Sequence, residues 1–167
     1  EVGNKVPAEP LLLPNPPSSI IREGDPIVLP HQSRQVEYEG EIGVVVGRSL
    51  WRAPESAAQG AIRGIVAVND VTARDLQRTD GQWTRAKGFD TFCPIGTVQV
   101  ADGLDPSSLE VICRVNGEVR QSGKTADMAF SVATLIEYIS GIMTLEPGDL
   151  IATGTPAGVG PLVDGDV

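Results

Sequence analysis

The chain has 167 residues, carries a formal net charge of −9 and is 41% hydrophobic. This length supports one domain with a substantial core, because a chain of this size buries roughly 70% of the surface that its unfolded form exposes. The acidic balance argues against a nucleic-acid-binding surface, and no apolar run approaches the roughly 20 residues that a bilayer-spanning helix requires. We therefore expect a single domain over residues 1–167 that binds neither nucleic acid nor membranes.

The two ends and the cysteines bear on where the protein works. No signal peptide is visible, and the chain starts without Met and stops at "LVDGDV", where a strand begins. We expect further residues beyond both ends. Cys93 and Cys113 have no C-x-x-C spacing, so we interpret both as reduced, packed thiols rather than catalytic groups. This cysteine usage predicts a cytoplasmic location.

Strands dominate the predicted secondary structure. Residues 1–35 are interrupted by many prolines and glycines, which predicts an irregular, extended segment. Apolar alternation predicts strands at about 26–29, 36–47 and 63–68. "EPGDLIATGTPAGVG" predicts a turn, a strand from about residue 149 and a glycine-rich loop.

Two helices and one hairpin complete the prediction. "NDVTARDLQ" predicts a short helix capped by Asn69 or Asp70, and "FSVATLIEYISGIM" predicts a longer one capped by Ser131. "SLEVICRVNGEVRQSG" predicts a hairpin that turns at Asn116-Gly117, a pair that accepts the positive φ values of a type I′ turn. The elements together predict an α+β domain dominated by strands.

The stretch "EYEGEIGVVVG" contains an unusual row of carboxylates. Glu37, Glu39 and Glu41 lie on one face of the predicted strand, where like charges repel one another. A solvated strand face is one interpretation. The other is that two of the glutamates share a divalent cation such as Mg²⁺, which prefers oxygen ligands. Gly40 between them indicates that another group, of the protein or of a ligand, approaches the strand closely.

Asp70 is the best candidate for a third oxygen ligand, because it ends the apolar run "GIVAVND" where a strand meets a helix. Arg74, one turn further on, is able to bind a carboxylate bidentately, and Gln77 shares its helix face at i+3 spacing. The alternatives are that Asp70 only caps the helix and that Arg74 forms a helix salt bridge with it.

Three further residues are candidates for substrate contacts. Lys87 in "WTRAKGFD" would place a cation beside a developing negative charge, with Thr91 following at i+4; the alternative is a surface lysine. The loop "TGTPAGVGP" lacks the sequence of a nucleotide-binding loop, but its backbone N–H groups and the Thr155 hydroxyl suit a small anion. A plain turn is the alternative. The single histidine, His31, is interpreted as a loop residue.

Five separated segments together resemble the fumarylacetoacetate hydrolase family. These segments are "VEYEGEIGVVVGR", "VNDVTARDLQ", "RAKGFDTFCPIG", "VNGEVRQSG" and "LEPGDLIATGTPAGVGP", in the order of the family and over nearly the whole chain. The resemblance is closest to the small-protein branch that acts on short 2-oxo acids. It implies the mixed β-roll of the family's C-terminal domain, usually assembled as a homodimer.

The resemblance also implies the site. Glu39, Glu41 and Asp70 would bind Mg²⁺ or Mn²⁺, and Glu37 lies outside the family's E-x-E positions. Lys87 would point at the substrate oxygens. Arg74, Gln77 and Thr155 would line the pocket, with Thr155 near the substrate carboxylate. Thr91, chosen for its spacing from Lys87, is the fourth expected substrate-binding residue.

The N-terminal segment carries two departures from the family pattern. Glu1, in "EVGNKVP", matches the glutamate of a lid motif H-x-x-E, whose histidine would precede the first residue. Asn15 stands where many relatives have lysine, which removes a cation from the edge of the pocket.

The residues together with the family resemblance predict a metal-dependent hydrolase that cleaves a carbon–carbon bond in an acylpyruvate or related 2-oxo acid, through an enolate held at the metal. Glu1 would belong to the acid–base pair that activates water, and Lys87 would stabilise the enolate charge. Two alternatives stay open. One is an isomerase or decarboxylase of unsaturated 2-oxo acids from aromatic catabolism, and the other is a non-catalytic ligand binder that retains the metal site.

Overall fold

The computed structural model describes residues 7–167, whose strands form three sheets of six, three and two strands. The largest sheet contains β1 (Ile20–Arg22), β3 (Gly40–Val46), β4 (Ile62–Asn69), β6 (Cys93–Ile95), β7 (Gln99–Val100) and β10 (Leu150–Ala152). The second contains β2 (Val36–Tyr38), β5 (Thr72–Ala73) and β11 (Gly160–Pro161), and the third is the hairpin of β8 (Glu110–Val115) and β9 (Glu118–Lys124). The α-helices of the same residues are α1 (Arg74–Thr79), α2 (Thr84–Lys87) and α3 (Val132–Ile142).

The main core lies between the large sheet and α3. Strand β3 runs antiparallel to β4 on one side and to β10 on the other. Alternate residues of β3, among them Val44 and Val46, face Ile136 and Ile139 of α3, because successive strand side chains point to opposite faces. The mixed, strand-dominated α+β fold predicted from the sequence is confirmed.

Two local predictions hold in detail. The Ser131 hydroxyl accepts a hydrogen bond from the Thr134 amide at 3.0 Å, so Ser131 caps α3 as expected. The β8–β9 hairpin turns at Asn116 and Gly117, whose φ values are 52° and 82°. Both lie in the left-handed region that a type I′ turn requires.

The predicted strand at 36–47 is two strands in different sheets, and the chain passes between them at Glu39. Tyr38 pairs with Gly160 in the three-stranded sheet, whereas Gly40 pairs with Asn69 in the large sheet. At the crossing, the Glu39 amide donates to the Asn69 side chain at 2.9 Å and the Glu39 carbonyl accepts from the Asp70 amide at 2.9 Å. The prediction of one continuous strand is therefore wrong.

Two other element predictions need correction. Residues 26–29 belong to no strand; the strand of this region is β1, which pairs in parallel with β6. Helix α1 starts at Arg74 rather than at 69 or 70, because Asn69 ends β4 and residues Thr72–Ala73 pair with β2. Neither Asn69 nor Asp70 is a helix cap.

Cys93 and Cys113 are free thiols, and burial raises the pKa of Cys93 to about 11, so its sulfur stays protonated and weakly reactive at neutral pH. His31 lies in an exposed turn. Glu1 lies outside the described residues. None of the helices in residues 7–167 has the length and apolar character needed to cross a membrane.

Candidate metal centre

The fold brings Glu39, Glu41 and Asp70 together. One carboxylate oxygen from each lies within 4.8 Å of the other two, and all three side chains are buried. Their proximity follows from the pairing of β3 with β4, which sets Gly40 opposite Asn69 and so places the neighbouring acidic residues side by side. These are the three residues that the sequence predicts as metal ligands.

Burial makes this cluster costly to ionise. Burial, and next the charge of Asp70, raise the pKa of Glu41 to about 8, although its Oε2 accepts a hydrogen bond of 2.8 Å from the Gly154 amide. Burial also raises the pKa of Asp70, against the opposing effect of the Lys87 ammonium. Positive charge nearby is therefore needed if all three carboxylates are to be ionised together.

Lys87, at the end of α2, supplies part of that charge. Its Nζ lies 2.8 Å from Glu39 Oε2, 2.5 Å from Asp70 Oδ2 and 2.8 Å from Thr72 Oγ1. Burial acts to lower the pKa of Lys87, but the Asp70 and Glu39 carboxylates raise it above its ordinary value. Lys87 therefore stays protonated, and it is not the surface lysine of the alternative interpretation.

Arg74 supplies the second positive charge. Its Nε donates to Glu37 Oε2 at 2.8 Å, its NH2 group donates to Glu39 Oε1, and its NH1 group donates to Gln77 Oε1 at 2.5 Å. Glu37 is thus the anchor of the guanidinium, and it also accepts a 2.6 Å hydrogen bond from Gln35. The alternative of an Arg74–Asp70 helix salt bridge does not hold, since Arg74 pairs with Glu37 and Glu39.

The glycine-rich loop after β10 contacts the same strand. Beside the Gly154–Glu41 bond, the Thr155 hydroxyl donates to the Gly40 carbonyl at 3.0 Å and accepts from the Gln121 side chain at 2.7 Å. The expected anion-binding loop thus binds a protein carboxylate through its backbone. Sequence reasoning missed Gln121; the only signal was a polar residue in the predicted hairpin, opposite Cys113.

Asn15 also belongs to the site. Its Nδ2 donates to Asp70 Oδ1 at 3.2 Å, which fixes the direction of the amide. Among residues 7–167, its Oδ1 is the buried side-chain oxygen or nitrogen that has no hydrogen-bond partner. Buried polar atoms are rarely left unpaired, so this acceptor indicates a position for a donor from a bound ligand or water.

Thr91 is the predicted site residue that the described contacts do not join to the cluster. Its Oγ1 accepts a hydrogen bond of 2.9 Å from the Val28 amide. Helix α2 ends at Lys87, and Thr91 has a φ of 72°, so the i+4 spacing from Lys87 is not helical. Gln77 reaches the cluster only through Arg74.

The donor set fits a hard divalent cation. When all groups are ionised, Glu37, Glu39, Glu41 and Asp70 contribute four negative charges, whereas Arg74 and Lys87 contribute two positive ones. Two negative charges remain for a cation to balance. Carboxylate oxygens are the ligands preferred by Mg²⁺ and Mn²⁺. We conclude that Glu39, Glu41 and Asp70 are able to hold such an ion.

The sequence is similar to that of proteins of one known family. The sequence matches the fumarylacetoacetate (FAA) hydrolase C-terminal family over residues 1–167. The mitochondrial oxaloacetate tautomerase of Arabidopsis thaliana is 47% identical over 97% of this chain and 75% of its own length. The mitochondrial oxaloacetate decarboxylase of Dictyostelium discoideum is 42% identical over the whole chain and 79% of its own length.

A solved structure of a related enzyme has the same fold as this chain. The structure of 5-carboxymethyl-2-hydroxymuconate delta-isomerase from Mycobacterium smegmatis superposes on this one with a TM-score of 0.92. The two sequences are 48% identical, and the match covers 96% of this chain. The chain spans 64% of the length of that isomerase. The protein belongs to the fumarylacetoacetate hydrolase family, as its five motifs indicated.

Proposed function

We propose that this protein is a divalent-metal-dependent enzyme that isomerises or tautomerises a short 2-oxo acid through its enolate. The observation that carries the proposal is the buried cluster of Glu39, Glu41 and Asp70 with the Lys87 ammonium bound to two of the three carboxylates. A cluster with this residual negative charge suits a cation, and Lys87 adds a second positive group at the same place.

The charges explain how the site would favour an enolate. A divalent cation held by the three carboxylates would polarise a 2-oxo carbonyl group and balance charge on its oxygen. Lys87 keeps its own proton and charge, because Asp70 and Glu39 raise its pKa. Its ammonium is held in place before the reaction, so it stabilises negative charge that grows on the substrate without first reorganising.

The relatives with named activities are mostly enzymes of proton transfer or decarboxylation, although one solved relative is named a fumarylacetoacetate hydrolase. Those with named activities include an oxaloacetate tautomerase, an oxaloacetate decarboxylase and a hydroxymuconate isomerase. In a keto–enol tautomerisation one proton leaves carbon and another reaches oxygen, so no bond between heavier atoms breaks. Hydrolysis of a carbon–carbon bond needs an activated water as well, for which the sequence offered Glu1, outside the described residues. Hydrolysis stays a prediction.

A substrate at the edge of the cluster would bind residues that still have unused hydrogen-bond donors. A guanidinium has five N–H groups, and Arg74 uses three of them on Glu37, Glu39 and Gln77. The remaining N–H groups suit one carboxylate oxygen of a 2-oxo acid. Direct substrate contacts of Gln77, Thr91 and Thr155 stay predictions, as do the homodimer and the cytoplasmic location.

Three reactions of two substrates, oxaloacetate and an acylpyruvate, measured in the presence of Mg²⁺ would test the proposal. We expect enol–keto conversion of oxaloacetate, followed by its ultraviolet absorbance, to depend on Mg²⁺ and to stop when a chelator is added. Pyruvate release would be measured in parallel from oxaloacetate, which reports decarboxylation, and from an acylpyruvate, which reports hydrolysis. Hydrolysis as the fastest Mg²⁺-dependent reaction would replace the proposed activity with the hydrolase of the sequence prediction. Absence of every Mg²⁺-dependent reaction would leave the ligand-binder alternative.

A further inference from the structure

Gln121 is a buried polar residue that the proposed chemistry does not use. It lies in β9, 81 residues from Gly40 in the sequence, and only 1% of its surface is exposed. Its Oε1 accepts from the Gly40 amide at 2.9 Å. Its Nε2 donates to Thr155 Oγ1 at 2.7 Å and to the Pro156 carbonyl at 2.8 Å.

The hydrogen bonds close a ring around Gly40. The Thr155 hydroxyl, which accepts from Gln121, donates in turn to the Gly40 carbonyl at 3.0 Å. Both peptide groups of Gly40 are therefore bound by side chains, one by Gln121 and the other by Thr155. This arrangement, Gln121 and Thr155 around the Gly40 peptide, is called the Gly40 bracket below.

Gly40 is the residue between two predicted metal ligands, at the point where the chain enters the large sheet. A side chain does not fit there, because a Cβ atom would lie 2.9 Å from the Cys113 Cβ and 3.3 Å from Gln121 Oε1. Glycine has the widest conformational freedom of any residue, so without external contacts its peptide planes would rotate readily. Such a rotation would change the separation of the Glu39 and Glu41 side chains.

We propose that Gln121 is a positioning residue that fixes the spacing of Glu39 and Glu41 through the Gly40 bracket. The inference rests on the proposed metal site and extends it to a residue that touches neither the ligand atoms nor the substrate. Buried polar networks in which every member has a partner hold their geometry firmly. Groups that orient metal ligands in this way commonly change metal affinity by about 10–100-fold when they are lost.

A purely structural role for Gln121 predicts a different result, and Ser140 provides the matched control. The Ser140 hydroxyl is also fully buried and also accepts from a backbone amide, that of Ala53 at 3.0 Å. Ser140 lies in α3, in contact with the Arg52–Ala53 segment rather than with the acidic cluster. Loss of its hydroxyl should lower stability without touching the metal ligands.

The test compares the Q121M, T155V and S140A variants with the unchanged protein. Mg²⁺ affinity would be measured by calorimetry at a temperature where all are folded, and bound Mn²⁺ would be examined by electron paramagnetic resonance, which reports ligand geometry. We expect Q121M to bind Mg²⁺ at least about tenfold more weakly and to broaden the Mn²⁺ spectrum. T155V should show a smaller change in the same direction, and S140A should keep both properties despite its lower melting temperature.

The outcomes separate this inference from the proposed function. If the unchanged protein binds neither ion, the metal site and the inference fail together. If the unchanged protein binds Mg²⁺ and Q121M binds it as tightly as S140A does, only the role of Gln121 is overturned. Should Q121M not fold, T155V decides, because it keeps the shape of the side chain and removes both bracket bonds of the Thr155 hydroxyl, one from Gln121 and one to the Gly40 carbonyl. Mg²⁺ affinity and a Mn²⁺ spectrum equal to those of the unchanged protein would then overturn the inference.

Discussion

The two halves of residues 36–46 are equally buried but opposite in chemistry. In the second half, Val44 and Val46 are 0% and 1% exposed and pack into the main core. In the first half, Glu37, Glu39 and Glu41 are only 7%, 4% and 3% exposed, although each carries a carboxyl group. One continuous stretch of backbone therefore changes from apolar core to charged cluster within a few residues.

The halves differ in what keeps them buried. The valines need only apolar neighbours, and burial of each side chain is favourable by itself. The glutamates depend on distant groups: the guanidinium of Arg74, the ammonium of Lys87 and the amide of Gly154. Buried ion pairs contribute little net stability, since desolvation offsets most of their attraction. Burial of the first half therefore assembles a charged cluster at little gain in stability, whereas burial of the second half stabilises the core.

The largest expected effect comes from removing the charge of two predicted ligands. The double variant Glu39→Gln with Glu41→Gln should lose Mg²⁺ binding completely in calorimetry, because an amide oxygen is a weak replacement for a carboxylate. The fold should survive, since Arg74 keeps Glu37 and Lys87 keeps Asp70 as ionic partners. Circular dichroism would check the fold.

Glu37→Gln is the matched control for that pair, because it makes the same chemical change on the same buried row. Glu37 binds Arg74 and lies outside the ligand set, so this variant should retain Mg²⁺ binding. Unchanged Mg²⁺ affinity in the double variant, or equal loss in the control, would show that the assignment of ligands is wrong.

The second prediction concerns the apolar half. Val44→Ala should lower the free energy of unfolding by about 1.5–3 kcal/mol, because it removes two methyl groups from a fully buried position and leaves a cavity. Denaturant unfolding would measure this loss. Mg²⁺ affinity of the folded variant should be unchanged, since Val44 faces α3 rather than the cluster. A large loss of Mg²⁺ affinity would show that the apolar half also affects the metal site.

The third prediction uses the raised pKa of Glu41. At pH values below about 8, Mg²⁺ must displace a proton from this carboxyl group, so affinity should fall by up to about tenfold for each unit of pH. Calorimetry in buffers of different ionisation enthalpy should detect release of about one proton per ion bound near pH 7. Equal affinities at pH 6 and pH 8 would contradict the prediction.

The same shift gives the metal-free protein a defined stability profile. The unfolded chain loses the Glu41 proton near the ordinary pKa of 4.5, whereas the folded chain keeps it until about pH 8. The folded state therefore binds more protons in this interval, and the contribution of Glu41 makes stability fall as pH rises from about 4.5 to 8. Added Mg²⁺ should reduce this loss, because it stabilises the ionised form.

Features with a local cause were predictable from the sequence. The hairpin turn at Asn116-Gly117 and the Ser131 cap depend on backbone preferences of the residues themselves, and both are found. Like charges on one strand face made Glu39 and Glu41 candidates for a shared cation, and Asp70 was added because it ends an apolar run and because the family resemblance implied it; the three do lie together. Charge repulsion is visible in a sequence even when the compensating group is not.

Features that depend on distant partners were missed. The change of sheet at Glu39 includes a hydrogen bond from its amide to the Asn69 side chain, and Thr72 and Ala73, just before α1, pair with β2. The anchoring of Arg74 by Glu37 and the bracket formed by Gln121 join residues 37 and 81 positions apart. The apolar periodicity that predicts strands and helices, two and 3.6 residues, carries no information about such contacts.

The smallest expected effect concerns Asn15, whose Oδ1 has no hydrogen-bond partner within residues 7–167 and so marks a place for a donor. Asn15→Leu keeps the size of the side chain but removes both polar atoms. The stability lost with the hydrogen bond to Asp70 is offset by the stability gained when the buried, unpaired Oδ1 is removed. We expect unfolding stability within about 1 kcal/mol of the unchanged protein and binding of the 2-oxo acid weakened by about three- to tenfold. Denaturant unfolding and the KM would be measured on the same sample. A purely structural asparagine would give the reverse result, a clear loss of stability with an unchanged KM, and would remove Asn15 from the binding site.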